Sequence, residues 1–467
     1  MKFGLEVKVI ENIISVLEQH PKVDKAFVFG SRAKGNYRPD SDIDIAIKGN
    51  GITSDDIIAI SVAIETKGIT HKFDLIDYNS IKEPALKEHI DRVGIEFYSR
   101  WKEHTLDSIS YKITDGAHLS PKDFVNGRIM FSVKDMIDNG FDYSKPKTIS
   151  HEDFNSLERQ GCKPEIDDIL IAKDGSVLKH IFRVTNEPDY VLLSSIAIIK
   201  PIKEKVDPSF LVYTLKSPII TDTILTNFVS GSGVPRIVLK DFKKVVVSLP
   251  PLQEQTAIAS ILSSLDDKID LLHRQNKSLE QLAETLFRQW FVEEAEESIT
   301  LGEIAKVSTG KGLKRNEFIE NGLYPILGAN GEIGRTNNYL TDEMLILTGR
   351  VGTLGEVKIS RGKVWISDNV LIINPNESKY FYPIYFSLTR IEFENMNVGS
   401  TQPLITQTDL KKIEIKFPNE FKLEKFTEDC NLHFDKINKN TTQIRTLTQT
   451  RDTLLPKLMS GEVRVEI

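Results

Sequence analysis

The chain has 467 residues, 40% hydrophobic and 27% charged; this composition excludes intrinsic disorder, and the length exceeds a single core, so two to four domains are expected. Its two cysteines, Cys162 and Cys430, form no metal-ligand spacing and exclude a disulfide scaffold, which suits a reducing compartment. A net charge of −7 lends no support to nucleic-acid binding by composition alone, so any phosphate contact has to come from local basic patches.

The first residues lack a signal-peptide apolar core, and nowhere do about 18 apolar residues run together, so a cytoplasmic protein with no membrane contact is expected. Residues 7–20 carry helical spacing (Val9/Ile10, Ile13/Ile14, Leu17). A short buried-strand pattern, Ala26-Phe-Val-Phe, runs into Gly30-Ser31. After a polar loop, Ser41-Asp42-Ile-Asp44-Ile alternates like a strand, and Lys72-Phe-Asp74-Leu-Ile-Asp77 reads as another.

In a strand, residues i and i+2 share a face, so Asp42 and Asp44 stand side by side. Two carboxylates that close repel unless a cation lies between them, and Mg²⁺ takes one or two carboxylates plus substrate phosphates. Gly30-Ser31 offers backbone amides and a hydroxyl to a triphosphate. Asp74 could complete the site as a metal ligand or take the proton of an attacking hydroxyl. An Asp-x-Asp pair alone is more often a solvated strand face; the combination singles this one out. Gly30-Ser31, a ten-residue gap, Asp42-Ile-Asp44 and Asp74 resemble the minimal nucleotidyltransferase family of the polymerase-β superfamily over about residues 5–98. The resemblance implies transfer of a nucleoside monophosphate from an NTP to an acceptor hydroxyl with Mg²⁺, Asp42, Asp44 and Asp74 holding metal and doing catalysis, Gly30 and Ser31 binding NTP.

From 101 onward the chain writes one unit twice. Gly231 and Gly399, Pro235 and Pro403, Asp241 and Asp409, Pro250 and Pro418, and Asp267 and Asp435 are each separated by the same 168 residues. Short β-type runs separated by Gly, Pro and Asp turns fill residues 101–250 and 298–418, which read as α+β units. Neither contains a catalytic constellation, so both read as binding modules. Polar loops with base-reading side chains are the candidate DNA contacts: Asp115, Gly116, His118, Lys173 and Arg236 in the first, and Lys311, Arg315, Arg350 and Gln402 in the second.

Each unit is followed by a long amphipathic segment. Ile258, Leu265, Leu272, Leu279 and Leu286 recur every seven residues, with Leu262, Ile269, Asn276, Ala283 and Trp290 four places on. The segment 251–300 holds 4 Lys and Arg against 10 Asp and Glu, so most of the acid excess sits here. The second copy carries Ile437, Ile444 and Leu454 on its stripe, with Asn440 and Arg451 at seam positions. The expected partner of each helix is the other, paired antiparallel.

Module, Pro250-Pro-Leu-x-Glu-Gln255, long helix, module, long helix resembles the specificity subunit of type I restriction–modification systems over about 103–467. The resemblance implies two target-recognition domains reading half-sites of bipartite double-stranded DNA, paired helices as spacer, and methyltransferase (M) and restriction/motor (R) subunits as partners. The second junction, Pro418-Asn-Glu, departs from the first. The fold expected is α+β multidomain: a nucleotidyltransferase domain at 1–100, recognition domains at 101–250 and 298–418, and helices at 251–297 and 419–467. The DNA-recognition part is expected to be non-catalytic. The alternative function is a transferase of AMP to protein or RNA whose duplicated part recognises the acceptor.

Overall fold

The computed structural model describes residues 2–231, 233–350, 356–393 and 405–465. The chain divides into two compact units, Met1–Asp267 with Thr448–Ile467, and Lys268–Leu447.

The first unit begins with α1 (Val7–Leu17), β1 (Val23–Val28), α2 (Gly30–Lys34), β2 (Ile43–Gly49), α3 (Ser54–Thr66), β3 (Phe73–Asp77), α4 (Pro84–Val93) and β4 (Ile95–Ser99). The strands form one sheet ordered β3-β2-β1-β4, with β2 and β3 parallel and the other pairs antiparallel. Alternation along β2 explains its place at the centre. Ile43, Ile45 and Ile47 bury against Ile13, Val16 and Leu17 of α1 and Ile60 and Ile64 of α3, while Ala46 on the other face packs against Ile90 of α4. Each such isoleucine contributes roughly 1.5–3 kcal/mol by burial. Asp44 shares the α4 face with Ala46. Thr53 and Asp56 cap α3 reciprocally, the Asp56 carboxylate accepting from Thr53 N at 2.7 Å.

Next in the same unit comes a lobe with a four-stranded antiparallel sheet ordered Ile181–Arg183, Ile169–Ala172, Ile196–Pro201, Ser110–Asp115. The second unit repeats it as Val357–Ser360, Leu345–Gly349, Val370–Pro375, Ala305–Thr309. Each lobe adds a three-stranded sheet with a parallel pair, Arg128–Phe131 with Tyr190–Leu192 and Tyr324–Gly328 with Trp365–Ile366. Each also closes its ends with a two-stranded ribbon just before a long helix, Lys102–Thr105 with Val246–Leu249 and Glu297–Thr300 with Glu414–Phe417. The duplication legible in the sequence is therefore a duplication of strand order.

The first long helix spans Leu252–Phe287 and ends in a π-helical turn, Arg288–Glu293; the second spans Glu420–Met459. In the first unit, Ile258, Ala259 and Leu262 at the start of the first helix share a core with Leu454, Leu455, Leu458 and Met459 at the end of the second. Arg451 and Asp266 pair there at 2.8 Å. In the second unit the ends are reversed: Ala283, Leu286 and Phe287 pack with Leu423, Phe426, Cys430, Phe434 and Ile437. The helices are thus antiparallel partners. Asn440, 1% exposed, donates to Asn276 Oδ1 at 2.8 Å and Gln275 Oε1 at 2.9 Å, so polar residues from both stripes meet each other. Leu272 is buried, and Leu265, Leu279 and Ile444 are half-buried on the same stripes.

Both helix starts have a physical reason. Gln255, 1% exposed, accepts from Asp207 N and donates to the carbonyls of Lys205 and Pro250. Glu254, 3% exposed, accepts from Arg100 Nε at 3.0 Å. The Pro-Pro-Leu-x-Glu-Gln run is therefore an internal staple. At the second junction Asn419 Oδ1 takes over by capping Lys422 N at 3.1 Å.

Candidate functional site

Gly30 opens α2 at φ +69°, and a Cβ there would lie 2.0 Å from Asp44 Oδ2, so only glycine leaves that carboxylate its place. Phe29 N donates to Asp44 O at 3.0 Å, which fixes the turn against β2. Asp44 and Asp74 are register partners across the parallel β2–β3 pair. Asp42 is exposed one residue ahead of β2, and Ser31 is half-buried next to Gly30. Desolvation lifts the Asp44 carboxyl above its ordinary range, and the charges of Asp74 and then Asp42 lift it further, with Arg32 and His89 pulling the other way. Five sequence-predicted residues therefore gather at one end of β2.

Two members of this site escaped the sequence reading. Arg32 is 2% exposed, and its guanidinium donates to the carbonyls of Phe3, Pro39, Ser41 and Asp42, at 2.6 Å for Ser41. It holds the loop that delivers Asp42. Nothing local marks it, because its partners lie up to 29 residues away. His89 lies on α4, and its charge acts on Asp44.

Among the described residues, no three His, Cys, Asp or Glu side chains are gathered into a ready-made metal cluster. The donor set at β2 is oxygen-only and carries surplus negative charge, which fits a hard divalent cation that brings phosphate and water ligands of its own.

In the first lobe, Lys173 Nζ pairs with Asp115 Oδ2 at 2.7 Å, both side chains about one-tenth exposed, so the pair ties the lobe together from within. His118 Nε2 sits 3.3 Å from Asp115 Oδ1 with its ring 78% exposed. Asp115 and His118 line an open cavity of about 560 Å³ shared with Asp153, Gln160 and Cys162. At Gly116 a Cβ would meet Leu192 O at 2.1 Å, so the backbone packs too closely there for a side chain. Arg236 is exposed on the small hairpin bridged to Asp174.

In the second lobe, Lys311 and Arg315 are exposed, and the Lys311 carbonyl accepts from Trp365 Nε1 at 2.8 Å. Arg350 is half-buried at the end of the strand Leu345–Gly349. Gln402 lies outside the described residues, as does the Gly399 turn. No helix among the described residues is long and apolar enough to cross a membrane.

Residues 11–103 match the family described as polymerase beta, nucleotidyltransferase. Residues 110–281 and 293–424 match the type I restriction modification DNA specificity domain. The chain is 27% identical over 307 residues to the type I restriction enzyme MjaIX specificity subunit of Methanocaldococcus jannaschii, covering 56% of this chain and 71% of the relative. It is 24% identical to the putative MjaX specificity subunit of the same organism, covering 78% and 94%. The crystal structure of the type I restriction–modification S subunit from M. genitalium shares the fold, with a TM-score of 0.56 at 20% identity over 79% of this chain and 96% of that one. With both lobes and most of the first helix inside the specificity-domain match, the chain belongs to the type I restriction modification DNA specificity family and carries a polymerase-β-type nucleotidyltransferase domain in front of it.

Proposed function

We propose that this chain is the DNA sequence-specificity subunit of a type I restriction–modification complex, reading a bipartite duplex site with one half-site per lobe. The observation that carries the reading is the repeated strand order, each copy followed by a long helix that pairs antiparallel with the other. Two similar readers on a paired-helix spacer suit two half-sites at a fixed separation. Methylation and cleavage would belong to the M and R partners; the relatives are named as specificity subunits of type I restriction enzymes. The specificity-domain match over the duplicated part leaves the acceptor-recognition alternative without support of its own.

The N-terminal domain takes an NTP with Mg²⁺. Asp42, Asp44 and Asp74 would hold the metal, which when bound supplies charge neutralisation at the phosphates. Gly30 and Ser31 face the phosphates, Arg32 holds the Asp42 loop in place, and Asp74 is placed to accept the acceptor's proton.

Co-purification tests the specificity reading. Expressed with the M subunit of its own genome, the tagged chain should retain it and methylate adenine or cytosine in a bipartite motif; a chain that retains no M subunit and yields no motif would sink it. Incubation with labelled ATP tests the other domain: label should appear on an acceptor only with divalent metal and be lost in D42A and D44A.

A further inference from the structure

The hydrogen-bond register fixes which residues of the two lobes correspond. In the first lobe, Lys173 N donates to Ser195 O, and Lys173 O accepts from Ile237 N at 3.0 Å. In the second, Arg350 N donates to Asn369 O, and Arg350 O accepts from Ile405 N at 3.1 Å. Ser195 and Asn369 each precede the matching strands Ile196–Pro201 and Val370–Pro375, and Ile237 and Ile405 are 168 residues apart. Lys173 and Arg350 therefore occupy one position: the exit of the central strand, beneath the chain that leads to the helix.

The carboxylate partner is not duplicated. Asp115 ends the edge strand and sits opposite Ala197, which is also opposite Ile171. In the second lobe Thr309 sits opposite Leu371, which is also opposite Thr348. Thr309 thus takes the place of Asp115. A second equivalence supports the match: Gly116 and Gly310 follow these residues, and a Cβ on either would strike the backbone of the corresponding strand, Leu192 O at 2.1 Å and Ser367 O at 2.2 Å. Lys173 is neutralised where it stands, whereas Arg350 has no carboxylate partner among the described residues.

We infer that Arg350 is a specificity-determining residue of the second lobe and that its counterpart Lys173 is a positioning residue of the first. This rests on the specificity-subunit reading. A guanidinium without an internal partner is available to take the two acceptors on a guanine edge, which an ammonium cannot match in fork geometry. In the first lobe the same position is closed by the Lys173–Asp115 ion pair and reads no base. The two half-sites are then read by different chemistry on one scaffold.

Selection of duplexes from a randomised pool by the full chain tests this, using wild type, R350A, R350K and the double variant D115N/K173M. The double variant removes the ion pair without leaving a lone buried charge. Wild type should enrich a bipartite motif containing guanine in one half. R350A and R350K should lose that guanine preference by on the order of tenfold while the other half-site is kept. R350K retains the charge and the aliphatic stem, so it carries the test if R350A folds poorly. D115N/K173M should keep the letters of both halves. The inference is overturned if R350K selects the wild-type motif at full preference, or if D115N/K173M relaxes a base in the way R350K does. A wild type that enriches no motif removes the parent reading and this inference together.

Discussion

Asp44 carries an electrostatic cost at its place in the sheet. Its carboxyl is held above the ordinary range of about 3.8 by desolvation, then by Asp74 and Asp42. A carboxylate whose folded pKa is raised costs stability above that folded value, and the cost fades as pH falls toward the unfolded one. In metal-free protein, D44N should therefore raise the melting temperature of the N-terminal domain near pH 7 and lose the gain as pH drops toward 4, read by thermal melts across pH. An unchanged difference at all pH values would contradict the electrostatic account. Glycines give a second residue-scale outcome. G116A and G310A drive a methyl into backbone oxygens, which should cost about 1–3 kcal/mol in denaturant melts. The surviving folded fraction should bind DNA normally, the outcome expected of a packing role alone. Gly116 was read in the sequence as a contact candidate because a glycine in a polar loop looks the same whether backbone or ligand comes close. Arg32 was invisible for the opposite reason: arginine is rarely buried, and only tertiary structure supplies four carbonyls for one guanidinium. Asp42, Asp44 and Asp74 were legible because spacing along strands converts directly into juxtaposition.

At the scale of elements, the helices were the most legible part, since a seven-residue repeat states both the fold and the need for a partner. Of the repeat positions, Ile258, Leu262, Leu272 and Ala283 are buried. What the repeat could not state is that Asn276 and Asn440 meet. N440A leaves Asn276 and Gln275 without their donor in a half-buried seam, which should cost about 1–3 kcal/mol. The double variant N276L/N440L should recover that loss and more, while admitting shifted pairings. Equilibrium denaturation with a cysteine crosslinking scan along the seam reads both outcomes; a stable N440A would show the contact to be incidental. The lobe sheets were harder to read. Their strands are as short as two residues, and closure depends on parallel pairs such as Tyr190–Leu192 with Arg128–Phe131, which leave no local mark.

At the scale of the molecule, the N-terminal domain is joined to the specificity part by more than a peptide. Within the first unit, Arg100 reaches Glu254 at the start of the first helix and also donates to Pro21 O at 2.7 Å, Lys102 pairs with Glu18, and Arg464 near the C terminus pairs with Asp24. R100A strands a nearly buried carboxylate and should cost about 3 kcal/mol. In calorimetry the N-terminal domain should then melt as a separate, earlier transition; an unaltered single transition would show that this link does not couple the two.

The central claim is that paired helices set the distance between two DNA half-sites. Its most direct measurement is methylation mapping of cells expressing the chain with its M subunit, as wild type and with one heptad deleted between Leu265 and Leu286 together with the facing heptad of the second helix. Seven residues span about 10.5 Å of helix, or about three base pairs at 3.4 Å each. The account predicts the same letters in both half-sites with the gap shortened by about three base pairs; an unchanged gap, or altered letters at the wild-type gap, would contradict it.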